Sequence, residues 1–120
     1  MSDYQCIEVD EQDSITRVRF LDAKIQEGLV QQLAEDLHQL VASTSVPKFL
    51  LDLSAVTFLS SAALNNLVVL NKKVQNQNGK FVLVGVQPPV YEVFNITGLN
   101  RWFKVADSMD EAMNELASAG

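Results

Sequence analysis

Two short apolar blocks constrain the fold of this chain more strongly than any other feature of its sequence. They are KFLLDL, residues 48–53, and KFVLVGV, residues 80–86, and each has the length and composition of a strand that is covered on both faces. Between them, apolar residues from Leu64 to Val74 recur at every third or fourth position, which predicts an amphipathic helix. A buried strand, a helix and a second buried strand predict a parallel crossover, and therefore an α/β fold.

The N-terminal part predicts a β-hairpin and a further amphipathic helix. Residues 4–10 and 14–21 alternate between apolar and polar side chains, and the polar residues EQD, 11–13, separate the two stretches. From Ile25 the period changes to three or four residues, which predicts a helix that ends before Pro47. Two strands joined by so short a turn are antiparallel.

The C-terminal part predicts two more helices and an edge strand. The prolines at 88–89 suit the first turn of a helix, and Gly98 suits the left-handed residue that follows one. Residues 103–105 form a candidate edge strand, and SMDE, residues 108–111, has the spacing of a capping box at the start of a last helix. These elements predict a single domain over residues 1–120, with a mixed β-sheet, parallel central strands, an N-terminal antiparallel hairpin and about four helices.

The composition favours a globular protein that binds another protein or a neutral ligand. Of the 120 residues, 48% are apolar and 20% are charged, and no apolar run approaches the roughly 20 residues needed to span a bilayer. The formal net charge of -6 disfavours nucleic acid and anionic membrane surfaces as partners. The acidic first residues lack the pattern of a secretory signal, so we expect a cytoplasmic location. Cys6 is the sole cysteine, which excludes a disulfide within this chain.

Few residues could carry out catalysis. His38 is the only histidine, and it lies in the predicted first helix between Leu37 and Gln39, which indicates a partly exposed helical side chain. No glycine-rich phosphate-binding motif is present. The acidic residues near the N-terminus are expected to be solvated hairpin charges, so no metal site, cofactor or enzymatic activity is predicted. These acidic residues are Asp3, Glu8, Asp10, Glu11 and Asp13.

The start of the second predicted helix, FLSSAALNNL at 58–67, carries no charge. No side chain between Asp52 and Lys72 is acidic or basic, although an amphipathic helix normally carries charge on its solvent face. Small, uncharged side chains let another protein approach closely, which favours an interaction surface. The plainer alternative is a helix that is buried on every side. The candidate contact residues are Ser60, Ser61, Ala62, Ala63, Asn65 and Asn66.

Two serines stand where this helix begins. Either Ser60 or Ser61 can cap it, which would stabilise the helix by about 1 kcal/mol. A phosphoryl group on a serine there would add about -1.5 to -2 charges, which the free amides and the helix dipole favour. The same charge would lie in the middle of an uncharged contact surface. Phosphorylation would then preserve the fold and release the partner.

At this point the sequence resembles a known family. The segment FLLDLSAVTFLSSAALNNLVVLNKKV, 49–74, resembles the central motif of STAS domains, the family of bacterial anti-sigma factor antagonists, in which a strand ending in DLS leads through V-x-F-[ML]-D-S-[ST]-G-L into a helix. VFNITGL, 93–99, is similar to the family's LF-x-x-[TS]-GL, and FKVADSMDEAM, 103–113, is similar to its F-x-x-x-x-[ST]-x-x-E-A. A weaker resemblance extends over the whole chain and implies a STAS-like fold.

The resemblance implies an anti-sigma factor antagonist that regulates transcription by partner switching. In that family an anti-sigma factor serine kinase phosphorylates the serine after the aspartate, and a PP2C-type phosphatase reverses this. The unphosphorylated protein binds the kinase and frees the sigma factor. By position Ser61 matches the phosphorylated serine and is the candidate phosphosite. Ser60, Ala62 and Ala63 stand where the family has the aspartate, a second hydroxyl residue and the glycine, so they depart from its pattern.

Two other interpretations remain open at the level of the sequence. Some STAS domains resemble this one in lacking a complete phosphorylation motif, and they serve as constitutive cytoplasmic subunits or scaffolds of larger complexes, for instance lipid-transport ABC systems. In that case the same helix would be a permanent docking face. A small enzyme or ligand carrier on the same scaffold is a third class, and the shortage of catalytic residues argues against it.

Overall fold

The computed structural model describes residues 7–44, 47–98 and 103–117 of the chain. Asp3, Cys6 and the first residues of the predicted hairpin lie outside the described residues. The strands are β1 Ile7–Gln12, β2 Ile15–Phe20, β3 Lys24–Ile25, β4 Lys48–Asp52, β5 Phe58–Leu59, β6 Lys80–Val84 and β7 Lys104–Ala106. The helices are α1 Glu27–Ala42, α2 Ser61–Asn76, α3 Pro88–Thr97 and α4 Met109–Ala117.

The main sheet contains five strands in the order β1-β2-β4-β6-β7. β1 and β2 are antiparallel, with Val9 opposite Val18, and the other pairs of this sheet are parallel. The two apolar blocks of the sequence form the neighbouring strands β4 and β6, with Phe49 opposite Phe81. The predicted mixed sheet, its parallel central strands, its N-terminal hairpin and the four helices are therefore confirmed.

Apolar side chains cover both faces of this sheet. One face, which includes Phe49 and Leu51 of β4, is packed against α1, α2 and α3. The other face, which includes Leu50, is packed against Ala112 and Leu116 of α4. Successive residues of β4 therefore lie under helices on opposite sides, which explains why its sequence is a continuous apolar run.

The start of α1 differs from the prediction. The helix begins at Glu27 rather than at Ile25, because Lys24 and Ile25 form the short strand β3. β3 pairs in parallel with β5, with Ile25 opposite Leu59, and both of these side chains are buried. Ile25 of β3 stands four residues before Leu29, the first apolar residue of α1. This is the spacing of a helix, so in the sequence Ile25 looks like part of the helical pattern. The small ladder holds the chain before α1 beside the chain before α2.

The hairpin turn also differs from the prediction. β1 extends to Gln12, so the turn is Asp13 and Ser14 rather than residues 11–13. Both turn residues have positive φ, 54° and 68°, as a two-residue hairpin turn requires to match the twist of its strands. The last strand is likewise shifted by one residue, to Lys104–Ala106.

The predicted signals at the ends of α3 and at the start of α4 are confirmed. Pro88 is the first residue of α3, and Gly98 follows the helix with a φ of 73°. At the start of α4 the hydroxyl of Ser108 accepts a hydrogen bond from the amide of Glu111 at 3.1 Å. The carboxylate of Glu111 accepts one from the amide of Asp107, at 3.4 Å, instead of from Ser108 as a full capping box would require.

Candidate functional site

Two strands hold the start of α2 in place. β4 ends at Asp52, whose carboxylate accepts a hydrogen bond from the amide of Ser54 at 2.9 Å and turns the chain. β5 then pairs with β3, and the amide of Ser60 donates to the carbonyl oxygen of Ile25 at 2.9 Å. The residue before the helix is therefore tied to a second segment of the chain.

Ser60, not Ser61, caps α2. Its backbone is extended, and its Oγ accepts a hydrogen bond from the amide of Ala63 at 3.2 Å. Ser61 is then the first residue of the helix, is exposed, and has no side-chain hydrogen bond among the described residues. The predicted serine cap is confirmed at Ser60, and the hydroxyl of Ser61 is left unused by the fold.

The six candidate contact residues differ in exposure. Those that are exposed are Ser61, Ala62 and Asn65, and those that are partly buried are Ser60 and Asn66. Ala63 is fully buried, so the expectation that it contacts a partner is corrected. It stands four residues before the buried Leu67, on the inward side of α2, and its methyl group belongs to the core. That helical spacing was visible in the sequence and could have identified it.

Asn66 serves the fold itself. Its Nδ2 donates a hydrogen bond to the carbonyl oxygen of Val30 in α1, at 3.0 Å, and so ties the first turn of α1 to the second turn of α2. Nothing in the sequence near Asn66 indicates this bond, since its acceptor lies on another helix. Asn65, the adjacent residue, is exposed and makes no such bond among the described residues.

This difference gives a matched pair of substitutions. Asn66→Ala is expected to lower the free energy of unfolding by about 1 kcal/mol relative to Asn65→Ala, because only Asn66 loses an interhelical hydrogen bond. Urea denaturation of the two variants and the parent measures the difference. Equal midpoints for the two variants would contradict the role assigned to Asn66.

Over its first half, α2 has an exposed surface that is uncharged and partly apolar, so the helix is not buried on every side. Phe58 lies just before the cap with 44% of its surface exposed, and Val69, two turns after Ser61, is 41% exposed. Neither is a predicted contact residue, although an aromatic residue two positions before a helix cap could have indicated a contact surface. We call the exposed residues Phe58, Ser61, Ala62, Asn65 and Val69 the α2 face.

A second loop supports the segment that leads into α2. Gly85, after β6, has a φ of 72°, and a Cβ there would lie 2.9 Å from the Cβ of Ser54. The side-chain amide of Gln87 donates to the carbonyl oxygen of Ser54 at 2.6 Å. The loop after β6 therefore packs closely on the loop after β4, which positions the approach to the α2 face.

Two of the four acidic residues described in the hairpin form ion pairs. Asp10 accepts two hydrogen bonds from the guanidinium group of Arg17, at 2.7 and 2.8 Å, and Glu8 lies 3.2 Å from Arg19. The hydrogen bonds from Arg17 hold the pKa of the Asp10 carboxyl below its usual range, and the same contact raises the pKa of Arg17. Over the described ranges no cluster of three His, Cys, Asp or Glu residues could hold a metal ion.

His38 is an exposed helical residue, as predicted, and its Nδ1 contacts Nζ of Lys73 in α2. No serine or acidic residue forms a hydrogen bond with its ring in the described part of the chain. The arrangement of a catalytic triad is thus missing from those residues. Among the four described helices, none has the length and apolar character needed to cross a membrane.

Comparison with known proteins identifies a family. The model of the STAS domain matches residues 7–112 of the chain. A protein of Bordetella bronchiseptica that is named as an anti-sigma factor antagonist, BtrV, is 35% identical over 65 residues. This match covers 54% of the chain and 56% of that protein, so it spans little more than half of the relative's length.

Solved structures with the same fold carry related names. An anti-sigma factor antagonist (STAS) domain protein from Planctomyces limnophilus has a TM-score of 0.86 and 26% identity, with 93% of this chain and 98% of that chain covered. An anti-sigma factor antagonist from Mycobacterium paratuberculosis has a TM-score of 0.82 and 27% identity, with 93% of each chain covered. The whole architecture is therefore shared with these proteins.

Proposed function

The chain belongs to the STAS domain family, and we propose that it is an anti-sigma factor antagonist, a protein-binding module that regulates transcription by partner switching. One observation carries the proposal: the first turn of α2 exposes an uncharged surface at the position of the family's phosphorylation motif. The proteins that the chain resembles are named for the same role. The chain acts by binding in the cytoplasm, as one domain, and has no catalytic role of its own.

The partner in this proposal is an anti-sigma factor with serine kinase activity. It docks on the α2 face and transfers a phosphoryl group to the hydroxyl of Ser61, which is exposed and is not needed for the cap. The fold tolerates the added charge, because it lies at a helix start. In the contact surface the phosphate disfavours binding, because none of the five residues of the α2 face is a cation that could pair with it. A PP2C-type phosphatase removes the phosphate and restores binding.

The departure of Ala63 from the family's glycine does not weaken this proposal. A methyl group at that position would hinder a partner only if it pointed outward. Ala63 is fully buried, so the partner meets Ser61 and Ala62 instead. The departure of Ser60 from the aspartate has a structural use, because Ser60 supplies the cap.

A constitutive STAS subunit is the second candidate function. The observation in its favour is that a serine, rather than an acidic residue, precedes Ser61 and is engaged by the helix backbone. In that case the α2 face binds a larger complex permanently. A phosphate on Ser61 of the protein isolated from its own cells, detected by intact-mass and peptide analysis, favours the switching function over this alternative.

The proposed function is tested by capturing partners with the purified chain and measuring their affinity. We expect capture of an anti-sigma factor of the serine kinase type, and about tenfold weaker binding of it by Ala62→Arg, since Ala62 is exposed in the centre of the α2 face. Ala42→Arg, at the exposed end of α1, carries the same change and should bind like the parent. If an anti-sigma factor binds neither in the capture nor as a purified protein, the proposal is wrong.

A further inference from the structure

A groove of about 350 Å³ runs between α1 and α2. The two helices are side by side and parallel, since Asn66 contacts Val30 near their starts and Lys73 contacts His38 further along. The groove exists because Ala34 is small and stands between larger residues of α1. Its lining consists of Gln31, Ala34, Glu35, Leu37, His38, Asn66, Val69, Leu70 and Lys73.

The groove is apolar in its middle. Leu37 and Leu70 are buried and form its floor, while the half-buried Ala34 and the exposed Val69 form its sides. An aliphatic side chain of a partner that enters this apolar middle would lose its contact with water there. Such a pocket for one anchoring residue is the usual core of a protein contact surface.

One end of the groove presents a cation. Lys73 contacts His38, and no described carboxylate lies within ion-pair distance of its ammonium group. An ammonium group has three N–H donors, so contact with one imidazole nitrogen leaves others for a ligand. Glu35 lines the groove beside its apolar middle, which disfavours a carboxylate there and leaves the Lys73 end as the place for one.

The groove continues the α2 face. Ser61, Asn65 and Val69 are spaced by four residues and follow one another along the same side of α2. Val69 belongs to both surfaces, because it is exposed and also lines the groove. A partner that covers the first turn of α2 can therefore extend into the groove without crossing another element.

From this geometry we propose that the α1–α2 groove is an anchor site for a helix of the protein partner. The partner helix places an aliphatic residue between Ala34 and Val69 and an acidic residue against Lys73. Val69 and Lys73 are four residues apart on α2, or about 6 Å along its axis, so the anchor and the acidic residue are three or four positions apart on the partner helix. This inference rests on the proposed function and adds to it a second contact site and the chemistry of the partner.

The test measures the affinity of the captured anti-sigma factor for two groove variants. Ala34→Leu places a larger side chain in the apolar middle of the groove, and Lys73→Glu reverses the charge at its end. Each is expected to weaken binding by about tenfold. The matched controls are Ala42→Leu, exposed on α1, and Lys72→Glu, exposed on α2 outside the groove. Both controls should bind like the parent, and circular dichroism melting of all four variants checks that they are folded.

The outcomes separate this inference from the function on which it rests. If the parent binds the anti-sigma factor and Ala62→Arg does not, but both groove variants bind like the parent, the groove proposal is wrong and the function stands. If decanoate, titrated by NMR, binds the parent and not Ala34→Leu while partner affinity is unchanged, the groove belongs to a small ligand and the proposal also fails. If the parent binds no anti-sigma factor, both the groove proposal and the proposed function are wrong.

Discussion

Replacing Ser61 with aspartate is expected to weaken binding of the anti-sigma factor by about a hundredfold, because an unpaired carboxylate buried in a contact surface costs about 3 kcal/mol. The α2 face contains no cation of its own: the stretch from Leu53 to Asn71 has no basic side chain, and Lys72 and Lys73 stand three turns further along the helix. Lys24 lies opposite Phe58 in the β3–β5 ladder and is exposed, so any pairing with it is weakened by water. Isothermal titration calorimetry with the purified partner measures the loss.

The same substitution should leave the fold intact. Ser61 is the first residue of α2, where an anion is favoured by the helix dipole by about 0.3–1 kcal/mol. The cap is not removed, because Ser60 supplies it. The free energy of unfolding of Ser61→Asp should therefore equal or slightly exceed that of the parent. Lost binding with unchanged stability is the property that a phosphorylation switch needs.

Two control variants test whether lost binding by Ser61→Asp is caused by the new charge rather than by the new shape, and whether that charge must be at position 61. Ser61→Asn has nearly the same shape as Ser61→Asp without its charge and should bind within about threefold of the parent. Asn76→Asp changes the net charge by the same amount at the exposed far end of α2 and should also bind normally. If Ser61→Asp binds as tightly as Ser61→Asn, Ser61 lies outside the contact surface and the proposed switch is wrong.

The large elements could be predicted because their signals are local. The apolar runs of β4 and β6 reflect strands that are covered on both faces, and the helical period of α2 reflects burial of one side of that helix. Both patterns can be read from a few consecutive residues. The ladder between β3 and β5 has no such signal. It consists of two residues on each side, and its hydrogen bonds join segments on either side of α1 and β4, so only the folded chain reveals it.

The sequence predicts an uncharged, exposed surface at the start of α2, and the structure shows such a surface without testing whether a partner binds there. The roles of single residues could not be predicted, since Asn65 and Asn66 look alike in the sequence. Their roles differ because a carbonyl oxygen of α1 accepts a hydrogen bond from Asn66 and not from Asn65. Ala63 differs from these two, because its spacing of four residues from Leu67 already indicates the buried side of α2. The groove could not be predicted from the sequence, because residues of both α1 and α2 line it, including the small Ala34.

Gly79→Ala is expected to lower the free energy of unfolding by about 3 kcal/mol or more, which is the largest stability effect we anticipate. A Cβ on Gly79 would lie 2.1 Å from the carbonyl oxygen of Pro47 and 2.8 Å from its Cγ. The first of these atoms belongs to the backbone and cannot rotate away. It is also the acceptor for the amide of Lys80, at 2.9 Å, which starts the pairing of β4 with β6.

The chain around Gly79 has little freedom to relieve this contact. α2 ends at Asn76, Asn78 turns the chain with a φ of 62°, and the amide of Gly79 donates to the carbonyl oxygen of Val74 at 2.9 Å. β6 begins at the next residue, Lys80. A shift of Gly79 therefore disturbs either the end of the helix or the central strand pair, and both are parts of the main core.

Gly28→Ala is the matched control, measured in the same urea denaturation series. Gly28 lies exposed in the first turn of α1, and a Cβ there would meet no atom within 4 Å. Alanine should stabilise that helix by up to about 1 kcal/mol, so the two glycines respond with opposite signs. Ser61 begins α2 and Gly79 lies three residues after its last residue, so a helix of 16 residues, about 24 Å long, separates them. The folded fraction of Gly79→Ala should therefore bind the anti-sigma factor like the parent, whereas a matching loss of affinity would mean that the contact surface reaches the far end of the helix.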